Sequence, residues 1–173
     1  MSATVRRAEL AAIGSDLIAV SGGSGARRGA ALLRRIGGRG DCAATFDDLR
    51  DAPDWLRFPA ERQRRLAMRV ALLWMGDALL TSIDGTWLGR LADVAGEEVV
   101  DWAIETAPDL PSLPVQRLAP EQMEAHGFAL LRSRLPAPLH GYLAWHAAPA
   151  EVACPEDSLT AFLAAALQAE AAP

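Results

Sequence analysis

"PAERQRRLAMRVALLWMGDALL", residues 59 to 80, is the stretch whose reading sets the fold class. Pro59 suits the first turn of a helix, where its missing N–H has no partner to lose, and Glu61 lies near the positive end of the helix dipole. Leu66, Val70, Leu73 and Trp74 follow at helical spacing, which predicts Leu73 and Trp74 in the core. The apolar run from Leu66 to Leu80 is broken by Arg69 and Asp77 and falls short of the ~20 residues of a membrane span, so it reads as a core helix. Asp77 is expected at the water-facing edge of that helix rather than buried against Arg90, because charged residues are seldom fully buried.

The same kind of signal continues downstream. Asp84 is placed to cap "GTWLGRLADVAG", Gly96 to close it, and Glu97 and Glu98 to open "EEVVDWAIETA", which Pro108 ends. A proline-rich break over 108–120 leads to a helix starting near Pro120, with Glu121 and Glu124 in its first turns and Arg132 and Arg134 in its last, the order its dipole favours. A final helix is capped by Asp157 or Ser158 and carries Leu159, Phe162, Leu163, Ala166 and Leu167 as one apolar stripe. The expected fold is therefore all-α: a single compact multi-helix domain with a flexible Gly/Arg-rich segment near the amino terminus. Residues 1–41 hold amino-terminal helices and that hinge, and 42–173 the helical domain, with its core at 59–105 and its carboxyl-terminal helices at 120–170.

Composition excludes several chemistries. The chain of 173 residues has no lysine and no asparagine, so all 17 basic residues are arginine, which we read as the mark of a GC-rich bacterial genome. P-loop, Schiff-base and protein-kinase mechanisms each need a lysine amine. Cys42 and Cys154 are far apart and form no CxxC pair, and the opening "MSATVRRAEL" lacks the apolar stretch of a secretory signal, which predicts a cytoplasmic protein. Charge is uneven: residues 1–70 carry 13 Arg against 8 Asp and Glu, residues 71–173 only 4 against 14, within a net charge of -5. A basic front and an acidic remainder suit charged partners or mutual attraction.

The individual motifs point away from catalysis. "IAVSGGSGARRG", residues 18–29, has the strand, turn and helix order of a phosphate loop, but its glycines give GxGxxxG and no later βαβ pattern supplies a parallel sheet, so it reads as a hinge. Asp47, Asp48 and Asp51 match the DDxxD of terpenoid synthases without the second metal motif, and read as dipole complements of a helix start. His140 and His146 are six apart and diverge on a helix, while His126 falls on an apolar side with Met123, Leu130 and Leu131. No nucleophile elbow supports a Ser-His-Asp triad. "WLGRLADVAGEEVVDWAIE" has helix-turn-helix spacing, yet its second helix would bring Glu97, Glu98, Asp101 and Glu105 to phosphates, which argues against nucleic acid. Arg39 to Asp41, an RGD triplet, is a chance match. The five tryptophans are spread over separate elements and read as core anchors. No catalytic residue, metal or cofactor is assigned.

The order "DWLRFPAERQRRLAMRVALLWMGDALLTSIDGTWLGRLADVAGEEVVDWAI", a proline-rich break and "HGFALLRSRLP" resembles the SctK-type cytosolic accessory proteins of bacterial type III secretion over roughly residues 54 to 136. The resemblance implies a helical adaptor of the sorting platform, bridging the inner-membrane ring and the cytoplasmic pod. The chain is shorter than such proteins and its glycine-rich beginning departs from them. A non-catalytic adaptor with protein partners and no transmembrane segment is the expected function. Arg27, Arg28, Arg34 and Arg35, at i, i+1, i+7 and i+8, share one side of a helix and are the candidate partner contact, toward an acidic protein face or, peripherally, an anionic membrane. The alternative is a small helical enzyme or ligand-binding protein with a pocket between helices, ahead of a DNA-binding regulator.

Overall fold

The computed structural model describes residues 48, 50–114, 117–144 and 152–171, and the readings made for residues 1–47 lie outside these. Among the described residues the chain is helical with no strand, as an all-α domain should be. The α-helices are α1 (Ala60–Trp74), α2 (Gly76–Thr81), α3 (Gly85–Ala95), α4 (Glu97–Thr106), α5 (Met123–Ser133) and α6 (Glu156–Ala171). Short 3-10 turns join them at Asp54–Arg57, Ala107–Asp109, Pro120–Gln122 and Ala137–Tyr142.

Pro59 sits at the N-cap of α1, and its carbonyl accepts from the N–H groups of Arg62 and Gln63. The apolar run that follows is two helices rather than one. Met75 turns the chain with φ -97° and ψ 23°, and Gly76 opens α2. The apolar pattern crosses this break because Met75 and Leu79 are buried on both sides of it. Glycine is needed at the bend, since a Cβ on Gly76 would lie 2.9 Å from the Cβ of Ala107.

α1 is the central element. α5 packs on one side, α6 on another and α4 on a third. Leu66, Ala67, Met68, Val70, Ala71, Leu72, Leu73 and Trp74 are consequently all buried, as expected of a helix that is apolar most of the way round. The apolar centre extends past the 59–105 block to Leu130 and Leu131 of α5 and to Leu159, Phe162 and Ala166 of α6, spaced i, i+3 and i+7. Burying one such Leu or Phe stabilises the fold by about 1.5 to 3 kcal/mol relative to exposure.

Close approach decides the α1–α5 contact. A Cβ on Gly127 would fall 2.0 Å from the carbonyl oxygen of Ala67, so the two backbones touch there and only glycine fits. In the same interface the rings of Trp74 and His126 meet with centroids 4.2 Å apart. Burial pushes the His126 imidazole below its ordinary pKa of 6.5.

Gln63 ties the loops to this core. Its buried amide donates to the carbonyls of Leu56 (2.9 Å) and Phe58 (3.1 Å), and its oxygen accepts from the Ala144 N–H (2.9 Å). α6 starts slightly ahead of its expected cap: the Leu159 N–H bonds the Pro155 carbonyl at 3.0 Å, which places Asp157 and Ser158 in the first turn, with Ser158 buried.

Candidate interaction surface

α2, α3 and α4 build a face on which charge and apolar surface are both left open. Asp84 accepts a hydrogen bond from the Trp87 N–H (3.1 Å) and so caps α3 as its sequence predicts. The Trp87 ring N–H donates to the Leu118 carbonyl at 3.0 Å. Arg117 lies 5.0 Å from the Trp87 ring centre and 3.5 Å from Asp84, and Arg90 pairs with Glu121. One flank of α3 is thus fastened to the loop that leads into α5. Two effects hold the Glu121 carboxyl below its usual pKa, chiefly its own backbone N–H and then Arg90.

Gly96, at φ +93°, turns the chain from α3 into α4, a left-handed conformation that favours glycine. Val100 and Ala103 on the underside of α4 are buried, and Trp102 is half-buried beneath Arg69 at 5.4 Å. Glu98, Asp101 and Glu105, at i, i+3 and i+7, therefore project outward.

Residues 76–109 hold eight carboxylates, at 77, 84, 93, 97, 98, 101, 105 and 109, against the single arginine Arg90. Arg90 is already engaged by Glu121, and Asp84 by Arg117. Asp77, Asp93, Glu97, Glu98, Asp101, Glu105 and Asp109 are all exposed, without an ion pair among the described residues. On the same three-helix unit Ile83 is 99% exposed, Val94 49% and Leu80 45%, the large apolar side chains that the fold leaves to water. Exposed apolar side chains and uncompensated charge on one helical unit are the composition of a protein-binding surface.

The other candidates are placed as follows. His140 accepts from Arg132 Nε on its Nδ1 at 3.0 Å, which puts its proton on Nε2, 2.9 Å from the Leu135 carbonyl, so both nitrogens are occupied in the turn that follows α5. His126 lies in the core, well apart in role from His140, and His146 is outside the described residues. Cys154 is half-buried, and burial pushes its thiol up in pKa. Asp51 is held by Arg50, and Asp47 falls outside the described residues, as do Cys42, the 18–29 loop and Arg27, Arg28, Arg34 and Arg35. Among the described residues no group of His, Cys, Asp and Glu is arranged to hold a metal, and no helix is long and apolar enough to cross a membrane. Sequence reasoning passed over Ile83, counted Leu80 in the core helix and set Val94 on the apolar stripe of α3 with Trp87, Leu88 and Leu91, and the structure corrects the last two by leaving both side chains exposed. Their only signal was apolar residues flanked by Asp77, Asp84, Asp93 and Glu97.

No family model matches the chain, and neither a curated protein nor a solved structure is similar to it.

Proposed function

We propose that the chain is a non-catalytic cytoplasmic adaptor whose α2–α4 face receives a basic, partly apolar segment of a partner protein. The observation that carries this reading is the coincidence of unpaired carboxylates with exposed Ile83, Val94 and Leu80 on one helical unit. An arginine-rich or lysine-rich helix with apolar residues at i, i+3 and i+4 has the matching chemistry. The sequence resemblance to SctK-type accessory proteins supplies a setting, the cytosolic sorting platform of type III secretion. Arg27, Arg28, Arg34 and Arg35 give the same adaptor a second contact of opposite sign.

The test is copurification from the native host with the wild-type chain and with a triple variant, Glu98→Arg, Asp101→Arg and Glu105→Arg. The wild type should retain a stoichiometric partner, less of it as salt rises, because exposed charge is screened over about 8 Å at physiological ionic strength. The triple variant should keep its melting temperature and lose about tenfold or more in retention. Equal retention by both proteins would remove the acidic face from the interaction and with it the proposed docking mode.

A further inference from the structure

α6 has a carboxyl end that its own sequence does not complement. Its first turn holds Glu156 and Asp157, and its last turn holds no basic residue. The cations come instead from α1. Arg62, Arg65 and Arg69, at i, i+3 and i+7, share one flank of that helix and converge on Glu170, whose side chain is only 3% exposed. Arg62 donates from Nε to Oε2 at 3.3 Å and from Nη2 to the Glu170 backbone carbonyl at 3.1 Å. Arg65 donates from Nε and Nη2 to the two carboxylate oxygens, both at 3.4 Å, and Arg69 from Nη1 to Oε1.

The charge at this point does not balance. Guanidinium groups stay ionised, so three positive charges meet one carboxylate. No other described carboxylate pairs with any of the three. Both oxygens of Glu170 are occupied, whereas the buried Arg69 Nε has no acceptor among the described residues. Two of the guanidiniums are steadied by aromatic rings: Arg62 lies 3.9 Å from the Phe58 centroid and Arg69 5.4 Å from that of Trp102. The side chains of Arg62 and Arg65 are 36% and 58% exposed, so the cluster opens to water on one side.

We propose that Arg62, Arg65 and Arg69 form an oxyanion site, with Glu170 as a built-in anchor that aligns the forks, and that the site takes a doubly charged tetrahedral anion of the phosphate class. The unbalanced charge matches a dianion, and several oxygens are needed to reach donors on three side chains, which a second carboxylate could not do. The same chemistry is offered by free phosphate and by a lipid phosphomonoester headgroup. The site does not depend on the adaptor reading, since it lies on α1 and α6 rather than on α2–α4.

The experiment compares inorganic phosphate with chloride at matched ionic strength, reading the unfolding midpoint of the wild type, R65Q and E170Q. The wild type should show a saturable rise specific to phosphate, as expected when a ligand binds only the native state. R65Q, an exposed position, should fold normally and bind phosphate about tenfold more weakly or worse, the loss of one charged donor pair. E170Q leaves the arginines with more unbalanced charge, so phosphate should raise its midpoint further than that of the wild type. Flotation with vesicles containing phosphatidic acid, against vesicles of equal charge made with phosphatidylserine, assigns the source: preference for the former identifies a lipid headgroup, and no preference beside a positive phosphate result identifies the free ion. Equal stabilisation of the wild type by phosphate and chloride overturns the proposal whether or not E170Q folds.

Discussion

The two sides of α1 handle charge in opposite ways. Around α1, α5 and α6, arginines are engaged within the fold: Arg64 with Glu124 at 2.7 Å, Arg134 with Glu156, Arg132 with the His140 ring, and three together, in excess of its charge, on Glu170. Glu124, first by a side-chain hydrogen bond and then by its charge, raises the Arg64 pKa above its ordinary value. On α2–α4 the carboxylates outnumber their partners, and Ile83, Val94 and Leu80 stay in water. Apolar burial follows the same division, with α1 covered on nearly all sides and α3 contributing only Leu91 to the fully buried set. The difference teaches where to look for stability and where for recognition: substitutions in the first region should unfold the protein, and those in the second should leave it folded and change what it binds.

The sharpest way to break that division is at the α1–α5 crossing. Gly127→Ala places a methyl group against the Ala67 carbonyl, and because the Cβ is fixed by its own backbone and the carbonyl belongs to the helix, neither can rotate away. A loss of about 3 kcal/mol, the upper range for overpacking, is expected in denaturant unfolding. A loss under about 0.5 kcal/mol would mean that the helices slide apart freely and that the core is not the rigid half of the molecule.

A smaller effect comes from His126. Its folded-state pKa is depressed, so above pH 6.5 neither state binds a proton and the group contributes no slope. As pH falls through 6.5 the unfolded chain gains a proton that the native core resists, and stability declines, by no more than about 1.4 kcal/mol per pH unit for one proton. Unfolding curves between pH 7.5 and 5.5 should show this decline in the wild type and not in His126→Phe. Identical slopes in the two proteins would place the titration elsewhere.

The smallest effects belong to the acidic face. Asp77→Asn and Ile83→Ser should each shift stability by less than about 0.5 kcal/mol, because Asp77 is exposed with no ion pair among the described residues and Ile83 is 99% exposed. A loss of several kcal/mol in either would show that this face is structural.

Much of the architecture was legible from local chemistry. Pro59 before α1, the Asp84 cap, Gly96 at a left-handed turn and Glu97 and Glu98 opening α4 are each set by a few neighbouring residues, and the structure places them where their residue types require. Leu73 and Trp74 are buried, as their spacing indicated, and Asp77 is exposed, as its charge indicated. The break at Met75 was hidden because α1 and α2 both face the core, so hydrophobicity runs through it unchanged. Gly127 was hidden for another reason: a glycine inside a helix carries no local sign of the backbone it must admit. The arginine cluster needed a partner more than a hundred positions away, and residue spacing within α1 does not announce Glu170. Three arginines on the flank of an apolar stripe, together with a final helix lacking cations at its own end, were the trace it left.

The docking of α6 also sets an order of events. α1 is complete at Trp74, but the helix that covers its arginine flank begins only at Glu156. Closing a loop of roughly 80 residues costs only about 0.6 kcal/mol more than closing one half as long, so the arrangement is thermodynamically mild. In time it is not. A chain emerging from the ribosome presents the α6-facing side of α1 bare until α6 has followed it out, and throughout that interval the newly made protein exposes the sticky surface that chaperones recognise.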